Sequence, residues 1–456
     1  MTGPGWQSLT SIRRGWVAAA FGVCAGYSGA VALLTTNDLH RLWGTTAAVG
    51  YLIAAVATLT WRSRGLDLAL VSGLCGALLV PLGWLAAQGK QQPEVSVIVR
   101  SAQLLVHHGT PYQSTAALAA AHHPYAYDPY LPVMTLFGLP RALAGSHVIT
   151  DPRIWFGVAF VLAFGLALAV AGAQDWIRWT VFLTASPVIA FELAVGGTDV
   201  PVLALMCLGL ALLWGMSRRA SRPVLAGLVL GVDASMKATA WPALVIAVVL
   251  LAVRDGRRAA TQFAATAAAA CAVLVGPVAA IWPGALAVNT ILFPLGLTRA
   301  ASPAASPLPG HLLAQTGHTG HLIAVGLLAL AGVGILAWLV VAPPRDVPAA
   351  TWRLIVGLTL MFTLAPATRF GYFIYPGGLL AWLLVARAGR PAGRAEPVQP
   401  AAAVDGGDAR SGAVRRVVRA GERAGVAADV RARVDAAVGL ADVIGGLRRR
   451  GRTGRR

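Results

Sequence analysis

Lys237 is one of only two lysines in the chain, the other being Lys90, and it lies among apolar residues. An ammonium in such surroundings is a point charge suited to a phosphate or diphosphate. The competing expectation is a structural ion pair with Asp233, one helical turn earlier. Arg299 and Arg369, at the ends of apolar runs, are candidates to share the anion-binding role. Glu94 is the candidate general base, because partial burial moves a carboxylate toward the working range. The helix dipole alone also favours an acid at a helix start. In Pro124-Tyr-Ala-Tyr127-Asp128-Pro129-Tyr130-Leu-Pro132, three tyrosines surround one carboxylate between prolines. That makes a stiff aromatic surface on which a sugar can stack while Asp128 hydrogen-bonds it, or an interfacial aromatic belt. Gly196-Gly197-Thr198-Asp199-Val-Pro201 is a tight turn that Asp and Pro turn chemistry explains in part, with Asp199 a candidate ligand-binding group.

Membrane helices must position these residues. Of 456 residues, 57% are apolar and 12% charged, against about 25% charged in a soluble domain. That composition excludes a disordered chain, a secreted disulfide scaffold and, for most of the length, a soluble nucleic-acid binder. A spanning helix needs about 20 mostly apolar residues. Runs that meet or approach this are 15–34, 42–61, 66–87, 154–173, 177–195, 200–217, 223–235, 237–253, 259–282, 320–342, 353–366 and 370–387. Arg13 and Arg14 precede the first, which reads as an uncleaved signal anchor.

Lys and Arg in short loops set orientation. Arg13/Arg14, Arg62/Arg64, Arg218/Arg219/Arg222, Arg254/Arg257/Arg258 and Arg345/Arg353 share one side if the N-terminus is cytoplasmic. The expectation is an all-α polytopic protein of the cell membrane, with about twelve spans and both termini cytoplasmic. The stretch 131–143 then cannot span and is expected to be interfacial or re-entrant. The stretch 223–253 must cross twice, with a break near Asp233-Ala-Ser-Met-Lys237.

Two long outer loops follow from this topology, 88–130 and 283–319, and loops of that length tend to carry function. Apolar residues at 97, 98, 104 and 105 predict an interfacial helix in the first, ended by Gly109-Thr-Pro. The ionisable residues on the outer side are Glu94, Arg100, Asp128, Asp151, Glu192, Asp199, Asp233, Lys237, Arg299 and Arg369. Seven of nine histidines (His107, His108, His122, His123, His311, His318 and His321) fall on that face. Adjacent pairs such as His122-His123 cannot easily ligate one ion, so hydrogen bonding or loop packing is expected rather than a metal. Cys24, Cys75, Cys207 and Cys271 lie far apart in apolar runs and support neither a metal site nor a disulfide framework.

The catalytic part is thus expected over 1–387. The tail 388–456, with 15 Arg and seven acids, is expected to be cytoplasmic, largely disordered or an amphipathic helix at about 411–446, lying near anionic lipid. The net charge of +19 is then almost wholly an orientation signal plus this tail. No nucleic-acid partner is expected.

Several pieces together resemble the GT-C-type integral membrane glycosyltransferases, and among them glycosyltransferase family 87, the actinobacterial polyprenyl-phosphate-mannose-dependent mannosyltransferases. They are an acid at a span exit, a loop helix ending His108-Gly-Thr-Pro-Tyr112, and the aromatic-proline segment 125–130. They continue with Gly196-Gly197-Thr198-Asp199, Ala226-Gly227-Leu-Val-Leu-Gly231 before Lys237 and Trp241-Pro242, and Phe293-Pro-Leu-Gly-Leu-Thr298. Ser306-Pro-Leu-Pro-Gly310-His311 and Thr368-Arg369-Phe-Gly-Tyr372 complete the order, over about 90–390. The resemblance implies an outward cavity, a lipid-phosphate sugar donor, a lipid or glycan acceptor, and direct displacement with inversion without a cofactor or metal. Glu94 takes the place of the family's usual loop aspartate, a departure that leaves Asp128 as the reserve base. The remaining candidates for substrate binding are Lys237, Arg369, Arg100, Asp199, Tyr127, Tyr130, His311 and Tyr372. A rival from another class is a lipid or solute transporter or flippase, in which the cavity binds without reacting; another is a non-catalytic protein of envelope assembly. No evident internal repeat favours the carrier.

Overall fold

The computed structural model describes residues 11–61, 64–121, 123–214 and 221–388. The chain divides into two units, 1–386 and 387–456, and the described residues fall almost wholly in the first. The tail beyond residue 388, together with Arg62, His122, Arg218 and Arg219, lies outside the described residues.

Alanine, leucine and valine dominate the chain, and the described residues form helices joined by turns and loops. The helices are α1 (Ser11–Leu34), α2 (Asp38–Thr60), α3 (Gly65–Ala87, with a π turn at Cys75–Leu79) and α4 (Pro93–His108). After the rest of the first long loop come α5 (Pro152–Val170), α6 (Trp176–Thr184), α7 (Pro187–Val195), α8 (Asp199–Leu213), α9 (Ser221–Ala234) and α10 (Trp241–Arg254). The series closes with α11 (Arg257–Ile281), α12 (His318–Val341), α13 (Val347–Leu364) and α14 (Ile374–Ala388). Among the described residues the sole extended pairing is one parallel bridge, Ala305 to Thr368.

Starts are set by side chains that satisfy the first free amides. Asn37 accepts from the Leu39 amide (2.9 Å), Asp151 from Arg153 (3.0 Å) and Asp346 from Ala349 (2.7 Å). Close crossings are made by small residues. A Cβ on Gly50 would lie 2.7 Å from the Gly76 Cα, and one on Gly227 2.5 Å from the Phe263 carbonyl oxygen. Without side chains there, backbones meet directly, as membrane helices require when lipid offers no hydrophobic drive between them.

Among the described residues, eight helices are long and apolar enough to cross a membrane, or nine if the bent pair α6 and α7, which meet at 60°, counts as one span. The chain is therefore an all-α multi-pass membrane protein. By length, the described residues do not confirm twelve full spans. The twelve apolar runs are eight full-length helices, one bent pair, and α8, α9 and α10 of 15, 14 and 14 residues. These last are only about 21–23 Å long at 1.5 Å per residue, short of the ~30 Å hydrocarbon core. α8 explains why: thirteen of its fifteen residues are buried, so it is a core helix enclosed by others rather than a lipid-facing one. By contrast α12 leaves Leu330, Val333, Val340 and Val341 more than 60% exposed, an apolar surface fit for lipid.

The break expected in 223–253 is present. α9 ends at Ala234, Lys237 is extended (φ −156°, ψ 139°), and a 3₁₀ turn at Ala238–Ala240 leads into α10. The stretch 131–143, expected at the interface or re-entrant, is a 3₁₀ segment (Pro132–Gly138) and a short helix (Leu139–Ala144). Pro132, Val133, Met134 and Thr135 are buried inside the protein. The Leu131 and Val133 amides donate to the Met236 and Ser235 carbonyls (2.9 and 3.1 Å), so the first long loop satisfies the backbone that the helix break frees.

One buried ion pair fixes the end of the bundle that carries the site. Arg153 and Asp151, both fully buried, pair through two bonds of 2.9 Å, and Arg153 also donates to the Ala194 carbonyl at the end of α7 (2.8 Å). Arg153→Leu leaves the buried Asp151 carboxylate with the more distant Arg141 (3.6 Å), and a loss of up to about 3–5 kcal/mol is expected. A detergent thermal-unfolding curve that does not move would contradict this.

Candidate active site

Five segments distant in sequence converge on one cavity. It is lined by Glu94 of α4, Tyr125, Tyr127 and Tyr130 of the first long loop, Glu192 of α7, the turn Gly196–Asp199, Lys237 at the break, Phe293 and Ser302–Ala304 of the second long loop, and Arg369 and Tyr372.

The glycine turn makes the convergence sterically possible. A Cβ on Gly196 would sit 2.9 Å from that of Gln92, and one on Gly197 2.7 Å from the Glu192 carbonyl carbon. The Gln92 amide donates to the Val195 carbonyl (2.9 Å), so the start of α4 docks against the end of α7. Glu94, in the first turn of α4 where the dipole favours an acid, thereby shares a wall with Glu192. The expected end of α4 is also observed: Gly109 is left-handed (φ +70°) and its amide donates to Leu105 (3.0 Å).

Two ion pairs cross the cavity. Arg369 Nη1 donates to Glu94 Oε1, and Lys237 Nζ to Asp199 Oδ1. The local Asp233–Lys237 pair is absent. Both Asp233 carboxylate oxygens are buried without a hydrogen-bond partner among the described residues. Tyr375 also donates to Asp199 Oδ1 (2.6 Å) and accepts from Thr239 (3.0 Å). Lys237 Nζ lies 5.5 Å from the Tyr130 ring centroid and 5.1 Å from that of Tyr372, within cation–π range. Burial works against charge on Arg369, but Glu94 beside it outweighs burial and holds the guanidinium above the usual arginine range. Each of the two cations is paired with a carboxylate that an anionic ligand can displace.

Of the remaining candidates, Tyr127 and Tyr130 line the cavity, whereas Arg100, His311 and Asp128 stand behind it. Tyr127 stacks on Phe293, centroids 4.6 Å apart and planes 4° from parallel. Tyr130 is buried, accepts from Thr198 through its hydroxyl (3.2 Å), and has its carbonyl held by Tyr112 (2.8 Å). Arg100 does not line the cavity: its two Nη groups donate to the Tyr125 and Ala126 carbonyls (2.7 and 3.0 Å). His311 is likewise removed, with Nδ1 2.8 Å from the Pro366 carbonyl and Nε2 2.9 Å from Gln315. It helps anchor a strap in which the Ser306 amide donates to Thr368 and the Thr368 amide to Ala304 (both 2.9 Å). That strap fixes the backbone just before Arg369.

Asp128 is buried outside the cavity lining. Oδ2 accepts from Ser101 (2.5 Å), Oδ1 from the Tyr130 amide (3.0 Å), and its own amide donates to Asn289 (2.7 Å). Burial pushes its carboxyl up to about 6 against those bonds and nearby Arg100. An acid raised above its ordinary 3.8 holds its proton more tightly when folded, so stability falls as pH rises from about 4 to about 6 and is level above. Asp128→Asn has no proton to lose. Its Tm relative to the parent protein is expected to climb across that window, and a pH-independent difference would contradict the shift.

Glu192 was legible only as one of several boundary acids, with nothing to single it out. Its faint signal was a position four residues before Gly196-Gly197. Among the described residues no three His, Cys, Asp or Glu side chains group to hold a metal ion.

The sequence pattern of glycosyltransferase family 87 matches residues 129–366, more than half of the chain. Tyr130, Glu192, Asp199, Lys237 and Phe293 fall inside the match, and Glu94 and Arg369 outside it. Neither a curated protein nor a solved structure matches the chain significantly. A bundle of membrane helices around an acid-, cation- and aromatic-lined cavity accords with that match, and the chain belongs to glycosyltransferase family 87 as a multi-pass membrane glycosyltransferase.

Proposed function

We propose that the chain moves a sugar, mannose, from a polyprenyl-phosphate donor to a lipid or cell-envelope glycan acceptor, with inversion. The observation that carries this is the meeting of one loop carboxylate with two cations and stacked aromatic rings in a single cavity. The acceptor hydroxyl oxygen attacks the anomeric carbon, and the bond from that carbon to the phosphate oxygen breaks. The hydroxyl proton passes to Glu94 and the lipid phosphate leaves. Lys237 and Arg369 stabilise the negative charge growing on the departing phosphate, where fixed cations act most strongly. Because Arg369 holds Glu94 in the resting site, a donor phosphate that takes up the guanidinium also frees the base. Tyr127, Tyr130 and Tyr372 offer ring faces to the sugar. Arg100, His311 and Asp128 act behind the wall, and Asp128 is the less favoured base because both its oxygens are already engaged.

We further propose that the cavity opens to the outer leaflet of the cell membrane, with the N-terminus cytoplasmic. Support comes from two described basic residues at helix ends away from the cavity, Arg254 and Arg64. Arg254, closing α10, donates to the Leu213 carbonyl at the far end of α8 (2.8 Å), and Arg64 precedes α3 at the end opposite Ala87.

Purified full-length protein incubated with labelled polyprenyl-phosphate-mannose and a membrane lipid extract is expected to yield labelled glycan or glycolipid. Transfer from a nucleotide sugar instead, in the absence of any lipid-phosphate donor, would overturn the donor class.

A further inference from the structure

Among the described residues, three carboxylates face the cavity and two cations do. Glu94 is held by Arg369 and Asp199 by Lys237 and Tyr375. Glu192 lines the same cavity, and among the described residues its carboxylate has no hydrogen bond and no ion pair. Its electrostatic neighbours are the members of both pairs, so it stands between them. Helix stability does not account for it, since it occupies the last turn of α7, where the dipole disfavours an acid. A half-buried carboxylate without a partner is costly, and inside a membrane protein such a group marks a site.

The carboxylate is also given room. A Cβ on Gly371 would lie 2.7 Å from Glu192 Oε1, so Oε1 occupies the space that a side chain there would take. Gly371 lies in the 3₁₀ turn Phe370–Phe373, between the cavity residues Arg369 and Tyr372. An unpaired carboxylate accepts hydrogen bonds and repels anions. It therefore does not suit the phosphate, which the two cations attract, and it suits neutral groups that donate two hydrogen bonds. Adjacent hydroxyls of a sugar ring are such groups.

We propose that Glu192 is the hydroxyl-binding carboxylate of the transfer site, accepting hydrogen bonds from the sugar being moved or from the sugar that receives it. The proposal rests on the transferase function above. It assigns Glu192 to binding and orientation, while the proton passes to Glu94.

The test uses full-length protein in detergent, polyprenyl-phosphate-mannose as donor and methyl α-mannoside as acceptor probe. Glu192→Gln keeps the shape and removes the charge. It is expected to raise the KM of donor or acceptor roughly 10- to 100-fold, as loss of a charge-assisted hydrogen bond implies, with kcat within about threefold. Which KM rises identifies the sugar. Gly371→Ala, pressing on Oε1 with the charge retained, is expected to raise the same KM. A second readout is independent of turnover: binding of methyl α-mannoside or the donor, measured by titration calorimetry, is expected to weaken about tenfold or more in Glu192→Gln. A collapse of kcat at unchanged KM would make Glu192 the proton acceptor and overturn the proposal, as would unchanged kinetics and binding. Should the wild-type protein bind these probes but transfer nothing, the transferase function fails while the binding comparison still decides the role of Glu192.

Discussion

Glu94→Gln is expected to lower kcat by about 10²- to 10⁴-fold, the range of a lost general base, with little change in thermal stability. The substitution keeps an oxygen that can accept from Arg369. The pair it weakens is partly exposed, with Arg369 30% and Glu94 17% accessible, so the cost to folding is about 1 kcal/mol or less. The two effects therefore separate cleanly. A merely structural Glu94 would lose Tm and rate together and keep its pH profile. A base would lose the limb of the profile that reports deprotonation while the protein elutes and melts as before. Unchanged transfer by the variant would remove Glu94 from the mechanism.

Lys237→Met is expected to act on both rate and stability, and a second substitution tells them apart. Loss of a fixed group facing developing charge costs about 10²- to 10³-fold in kcat. The same change leaves Asp199, only 11% exposed, with Tyr375 as its one remaining partner. Stranding a buried carboxylate costs up to about 3–5 kcal/mol. Asp199→Asn on top of Lys237→Met removes the stranded charge, so Tm is expected to recover most of the way while kcat does not. Recovery of both would show that Lys237 serves the fold and that the phosphate is bound elsewhere.

Hydropathy made the helical segments legible because each is a run of apolar residues, and that signal is local. It could not give the number of full spans. A helix enclosed by protein on every side, such as Asp199–Leu213, is as apolar as one in lipid and need not be as long. The rarity of lysine pointed to Lys237, but its partner was out of reach. The near candidate, Asp233, is on the far side of the break, whereas Asp199 is 38 residues away and is brought in by the packing of α8 against α9. Arg100 and His311 looked like ligand-binding groups because charge in a loop signals function, yet each is engaged by carbonyl oxygens of neighbouring loops. Glu192 sat inside an apolar run at a span end, and nothing in sequence separates an acid that faces a cavity from one that faces a headgroup.

The bond between Glu94 and Arg369 joins residues 275 positions apart, and this has a consequence for the order in which the protein is made. At roughly 5–20 residues per second, about 14–55 s of synthesis separates the acid from the cation that balances it. By the end of that interval the nascent chain carries the acid, the aromatic segment and Lys237, but not yet Arg369 and Tyr372. The cavity is complete only when Arg369 and Tyr372 arrive, so a chain cut short before residue 369 lacks that wall. Activity is thereby tied to completion of the whole bundle.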